Sequence, residues 1–96
     1  MKRLTSIKDV IDKIARQTGL GSKLKEVKIL EQWYKEVGIE ISNHTTPIKL
    51  FNGKLFVKVD SPVWMSQLTF IKKDIIDKIN KAMNEKLIKD IFFTLK

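Results

Sequence analysis

The sequence predicts a two-layer α+β sandwich with elements in the order α-α-β-β-α-β, its three strands forming one sheet with helices packed on one face. Apolar residues recur at 3-4 spacing up to residue 43 and again from 62 to 83. The pattern switches to alternation from Ile48 to Val59 and over residues 88–95, and Asn52-Gly53 sits in the middle of the first alternating stretch. Three strands with one aliphatic face need helices to cover that face.

Ser6 and Asp9 resemble a capping box, and Ile7, Val10, Ile11 and Ile14 then form the stripe of a short amphipathic helix over residues 7–17. Gly21-Ser22 opens a second helix, residues 23–43, whose expected inward stripe is Leu24, Val27, Leu30, Tyr34, Val37 and Ile41. Gly38 interrupts that stripe at a cost of about 1 kcal/mol against Ala, which points to a close crossing with another element. Thr45-Thr46-Pro47 ends the helix.

Strands are expected over residues 48–51 and 54–59, joined by a type I′ turn, because Asn-Gly tolerates the positive φ angles that turn requires. A two-residue turn sets Phe51 opposite Lys54, Leu50 opposite Leu55, Lys49 opposite Phe56 and Ile48 opposite Val57. Ile48, Leu50, Leu55, Val57 and Val59 then share an aliphatic face, and Lys49, Phe51, Lys54, Phe56 and Lys58 share a basic and aromatic one. Ser61-Pro62 is an N-cap followed by proline at the first helical position, starting a third helix over residues 62–83 with the stripe Trp64, Leu68, Ile71, Ile75, Ile79 and Met83. After Asn84-Glu85 a last strand runs over residues 88–95, with Ile91, Phe93 and Leu95 on one side.

The chain has 96 residues and no linker, repeat or low-complexity tract, so a single domain over residues 1–96 is expected. A chain of this size buries only about 60–65% of its unfolded surface, and most apolar residues are needed for the core. The absence of cysteine excludes a disulfide framework, thiolate zinc sites and thiol catalysis, and the lone His44 cannot supply a multi-histidine metal site. No glycine-rich phosphate loop is present, and acidic residues pair with lysines along helices, as Glu31 does with Lys35 and Asp74 with Lys78, rather than clustering for acid–base work. A non-enzymatic protein without cofactor or metal is therefore expected. No apolar run approaches a bilayer span and Met1-Lys2-Arg3 precedes no signal-type core, which makes a cytoplasmic protein without membrane contact the expectation.

The net charge is +8. Residues 21–46 are balanced, and the excess falls on the hairpin, the last helix and the N-terminus. Such an excess raises the local concentration of polyanions, nucleic acid above all. Because 17 of the 19 cations are Lys, codon bias in an AT-rich genome would give the same composition. The hairpin is more specific: phenylalanines on an open sheet can stack on unpaired bases while lysines neutralise the backbone. Lys49, Phe51, Lys54, Phe56 and Lys58, with Lys72 and Lys73 on the third helix, are the candidate nucleic-acid contacts. The competing expectation is that the first helix or a second subunit covers the phenylalanines.

Trp33 and Trp64 suit core packing, but Tyr34 competes with Trp33 for the inward position, and an outward Trp33 is a candidate protein contact. Gly38, Gly53, His44 and Trp64 are assigned structural roles, His44 as a partner of the last carbonyls of the second helix.

The run Trp33-x-x-x-Val37-Gly38, Ile41, His44-Thr45, Pro47, Gly53-x-Leu55-x-Val57-x-Val59 and Ser61-x-x-Trp64-x-x-x-Leu68 resembles the signature of the DciA family, over about residues 24 to 95. The resemblance implies a KH-like domain in a protein that helps load the replicative helicase DnaB onto DNA, here without the basic C-terminal extension that many relatives carry; with the basic and aromatic hairpin face, single-stranded or forked DNA is the expected ligand. The GXXG loop of true KH domains is missing, since Gly19 and Gly21 are two apart and Gly53 stands alone, so the usual KH groove is not the expected binding mode. The alternative functions are a KH-like RNA-binding module and a protein–protein adaptor with no nucleic-acid role. The oligomeric state is left open.

Overall fold

A computed structural model describes residues 7–96, and Ser6, the expected N-cap of the first helix, lies outside them. The elements are α1 (Ile7–Thr18), α2 (Leu20–Ser42), β1 (Thr45–Phe51), β2 (Lys54–Val59), α3 (Pro62–Met83) and β3 (Asp90–Leu95), in the expected α-α-β-β-α-β order. The sheet runs β1-β2-β3, with β1 antiparallel and β3 parallel to the central β2.

Local chemistry explains the element boundaries. Asn52 and Gly53 hold φ values of 52° and 79°, as a type I′ turn requires, and the pairs Phe51–Lys54, Leu50–Leu55 and Lys49–Phe56 follow from it. Beyond Lys49 the register departs from expectation. A bulge places Pro47, not Ile48, opposite Val57, and β1 extends back to Thr45 because an edge strand tolerates proline. Ile48 is consequently exposed rather than part of the aliphatic face. Ser61 caps α3, its Oγ accepting from the Trp64 amide at 3.2 Å, with Pro62 in the first turn. β3 starts at Asp90, two residues later than expected. Residues Leu87 and Ile88 are instead fastened to α3 by Asn80, whose Oδ1 accepts from both amides and whose Nδ2 donates to the Ile88 carbonyl.

The core lies between one face of the sheet and two helices. Leu55, Val57, Val59 and Ile91 from the sheet meet Ile29 and Trp33 of α2, Leu68, Ile75 and Ile79 of α3, and Ile88. Full burial of each aliphatic side chain contributes about 1.5–3 kcal/mol. α2 keeps half of the expected stripe: Leu30, Val37 and Ile41 pack against the core, but Ile29 and Trp33 are the residues fully buried there, while Leu24, Val27 and Tyr34 are exposed. Tertiary chemistry decides this. The Trp33 Nε1–H donates to Thr45 Oγ1 at 2.9 Å, and that hydroxyl donates to the Ile41 carbonyl at 2.9 Å, so the inward indole has its polar atom satisfied. A fully buried Trp33 is a core residue and is withdrawn as a protein-contact candidate.

Gly38 is also corrected. No atom of another element lies within 4 Å of where its Cβ would sit, so it marks no close crossing. Its φ of 87° and ψ of 168° break α2 instead, a conformation essentially reserved for glycine, and this turns the chain toward β1. Among the helices and strands α1 touches only α2, and it leaves Ile7, Ile11 and Ile14 about half exposed or more. α2 and α3 cover the aliphatic face of the sheet; α1 does not reach the sheet at all.

Candidate nucleic-acid interface

Alternation along β2 sends Leu55, Val57 and Val59 into the core and Lys54, Phe56 and Lys58 to the opposite face. Strand register extends that outer face into three rows: Phe51–Lys54–Asp90, Lys49–Phe56–Phe92 and Thr46–Lys58–Thr94. No helix covers it. Phe51 is 61% exposed, Phe92 is 40% exposed and Phe56 is partly exposed. Three phenylalanines therefore form an open patch.

The aromatic and basic groups on this face are in contact. The Phe56 and Phe92 rings meet edge to face with centroids 5.4 Å apart. Lys49 Nζ lies 5.2 Å from the Phe56 centroid and 6.0 Å from that of Phe51, and Lys54 Nζ lies 5.4 Å from that of Phe92. These separations are in the cation–π range, so the lysines are held over the rings while their ammonium groups keep unused donors for phosphate oxygens. Phe51 also lines a cleft of about 550 Å³ to which α2 contributes Lys23, Lys25 and Glu26, the two lysines being paired with Glu26 and Glu85.

Lys72 and Lys73 belong to the helical layer, not to this face. Lys72 Nζ contacts the Asp90 carboxylate at 3.2 Å and the Ile91 carbonyl at 3.4 Å, and is thereby held at the start of β3. Burial opposes ionisation of Asp90, but the Ile91 amide and the Lys72 ammonium outweigh it and hold the carboxyl below its ordinary range. Lys73 is exposed on α3.

The residues assigned structural roles have well-defined partners. His44 Nδ1–H donates to the Asp60 carboxylate at 2.9 Å, and its ring stacks on Trp64 with centroids 4.8 Å apart. It is the His44 backbone amide, not the expected imidazole, that meets a helix carbonyl, that of Ile41. Trp64 is half-buried between that stack and the core. A group the sequence reading missed is Glu26. Its Oε2 accepts from the Leu50 amide at 2.9 Å and its Oε1 from Lys23, and these bonds lower its pKa. Glu26 and Leu50 are 24 residues apart, so no local signal could have revealed the pair.

No group of three or more metal-ligating side chains exists among the described residues, and no described helix is long and apolar enough to cross a membrane. Curated relatives include a UPF0232 protein of Rhodococcus jostii, 33% identical over 81 residues, and one of Mycobacterium marinum, 30% identical over 81 residues. Each match covers 84% of this chain but 43% of the relative, so the chain spans less than half the length of these proteins. The family described as Dna[CI] antecedent, DciA, matches residues 6–93. Because that match starts one residue before α1 and ends inside β3, it takes in all six elements of the fold, and the chain belongs to the DciA family.

Proposed function

We propose that this chain is a non-enzymatic accessory protein of DNA replication that assists loading of the replicative helicase DnaB and binds single-stranded or forked DNA through the outer face of its sheet. The observation that carries the DNA half is the open patch of Phe51, Phe56 and Phe92 with Lys49 and Lys54 held over the rings. Unpaired bases stack on such rings at about 1–3 kcal/mol per base, whereas the bases of a duplex are already stacked. Lys49, Lys54 and Lys58 lie on β1 and β2, and the β3 positions of the same rows carry Asp90, Phe92 and Thr94. The phosphate backbone is therefore assigned to the β1–β2 side and the bases to the Phe56–Phe92 pair. Membership of the DciA family supports the helicase half.

A salt titration of a labelled single-stranded oligonucleotide tests the DNA half. The slope of log affinity against log salt should be about −0.7 for each neutralised phosphate, and an absence of binding at low salt removes this half of the proposal. Tighter binding to the ribo- than to the deoxyribo-oligomer of the same sequence would replace DNA by RNA as the ligand. Co-elution with the helicase of the same organism at micromolar concentration tests the other half, and failure to associate counts against loading.

A further inference from the structure

The two edges of the sheet are closed to different extents. On β1, Pro47 has no amide hydrogen, the bulge breaks the register, and Glu26 occupies the Leu50 amide. On β3, the Asp90 amide donates to the Gly53 carbonyl and the Lys96 amide to the Val59 carbonyl, so even-numbered residues face β2 and odd-numbered residues face outward. Ile91 is the first outward residue, and it is satisfied at both ends: the Asp90 carboxylate accepts from its amide at 2.8 Å, and Lys72 donates to its carbonyl. Phe93 and Leu95 follow, and their outward amides and carbonyls have no protein partner among the described residues. The stretch from Ile91 to Leu95 contains no Pro, Gly or charge, and Leu95 is 51% exposed.

We propose that this half-open edge pairs with β3 of a second copy of the chain, antiparallel about a two-fold axis at Thr94. The register follows from which groups are free. Pairing Phe93 with Leu95 of the partner subunit, and the reverse, uses the four open backbone groups of each chain and leaves Ile91 to its own Asp90 and Lys72. A two-fold axis at Phe93 would require Ile91 to give up both partners.

The side chains fit the same register. Thr94 meets Thr94 of the partner subunit, Phe93 meets an aliphatic residue on the helical side, and Phe92 meets Lys96 of the partner subunit on the outer side. A second copy is the occupant this edge matches, because the two donors and two acceptors of Phe93 and Leu95 are met one for one by those of an identical edge, and Lys96 of the partner subunit joins Lys54 beside the Phe92 ring. The pairing joins two three-stranded sheets into one of six, with both basic and aromatic faces on the same side. It stands independently of whether that face binds nucleic acid.

The chain has no cysteine, so a single introduced thiol reports the register directly. Thr94 is a non-hydrogen-bonded position, where facing Cα atoms are about 4.5 Å apart, within the range a disulfide spans. Under mild oxidation Thr94→Cys should form a disulfide-linked dimer, whereas Asp77→Cys on α3 should stay monomeric. Adding Leu95→Pro should abolish the cross-link and leave the fold intact by circular dichroism, since the Leu95 amide makes no bond to β2. Sedimentation of the unmodified chain should show dimers between micromolar and millimolar concentration. A monomer throughout that range, a Thr94→Cys cross-link no faster than that of Asp77→Cys, or one insensitive to Leu95→Pro would each overturn the proposal.

Discussion

The two faces of β2 differ in every respect except backbone. Leu55, Val57 and Val59 have no exposed surface and hold α2 and α3 to the sheet, while Lys54, Phe56 and Lys58, interleaved with them, carry the charge and the rings that meet solvent. A strand of six residues thus separates stability from recognition residue by residue. Substitutions on one face should change folding and leave ligand affinity in the folded fraction alone, and substitutions on the other should do the reverse.

The largest expected effect is on the inner face. Leu55→Ala removes a fully buried side chain at the centre of the sheet and should destabilise the domain by about 2–5 kcal/mol in a urea titration, with unchanged oligonucleotide affinity below the transition. Phe56→Ala should weaken single-strand binding by about 1–3 kcal/mol in a fluorescence titration while shifting the urea midpoint little. Equal losses in both measurements would abolish the division between faces.

Gly53→Ala tests the turn that joins β1 to β2. At a φ of 79°, and with Lys89 side-chain carbons 3.0–3.1 Å from the new methyl, it should cost about 1–2 kcal/mol of stability. Lys58→Gln should reduce the salt slope by about 0.7 and lower affinity equally for all sequences.

The smallest effect concerns pH. The Leu50 amide and Lys23 lower the pKa of Glu26 in the folded state, so its contribution to stability is complete above its ordinary value of 4.5 and is lost as pH falls through the folded value. Glu26→Gln should therefore cost stability at neutral pH and progressively less as pH falls through that acidic window, flattening the profile there in urea titrations at several pH values.

Features set by neighbouring residues were legible before the structure. The Asn52-Gly53 turn, the three residue pairs next to it and the Ser61-Pro62 start of α3 all follow from chemistry within four residues. Features set by distant groups were not. α2 carries apolar side chains on several sides, and the groups that hold the indole inward, the core cluster and the Thr45 hydroxyl twelve residues away, lie outside the helix's own sequence pattern. The basic and aromatic face was visible as alternation, but its openness depended on where α1 lies, and α1 stays with α2. Lys72 read as a nucleic-acid contact because the Asp90 that holds it is 18 residues away.

The Gly53 carbonyl accepts the amides of both Lys89 and Asp90, so the hairpin turn is also the landing point for the last strand. This couples the turn to the last strand. Closing the two-residue turn carries a small entropic cost, whereas bringing β3 beside β2 spans all of α3, and the Asn80 bonds to Leu87 and Ile88 shorten the loop that remains. A substitution that unmakes the turn should therefore loosen the start of β3 as well, read as faster hydrogen exchange of the Lys89 and Asp90 amides.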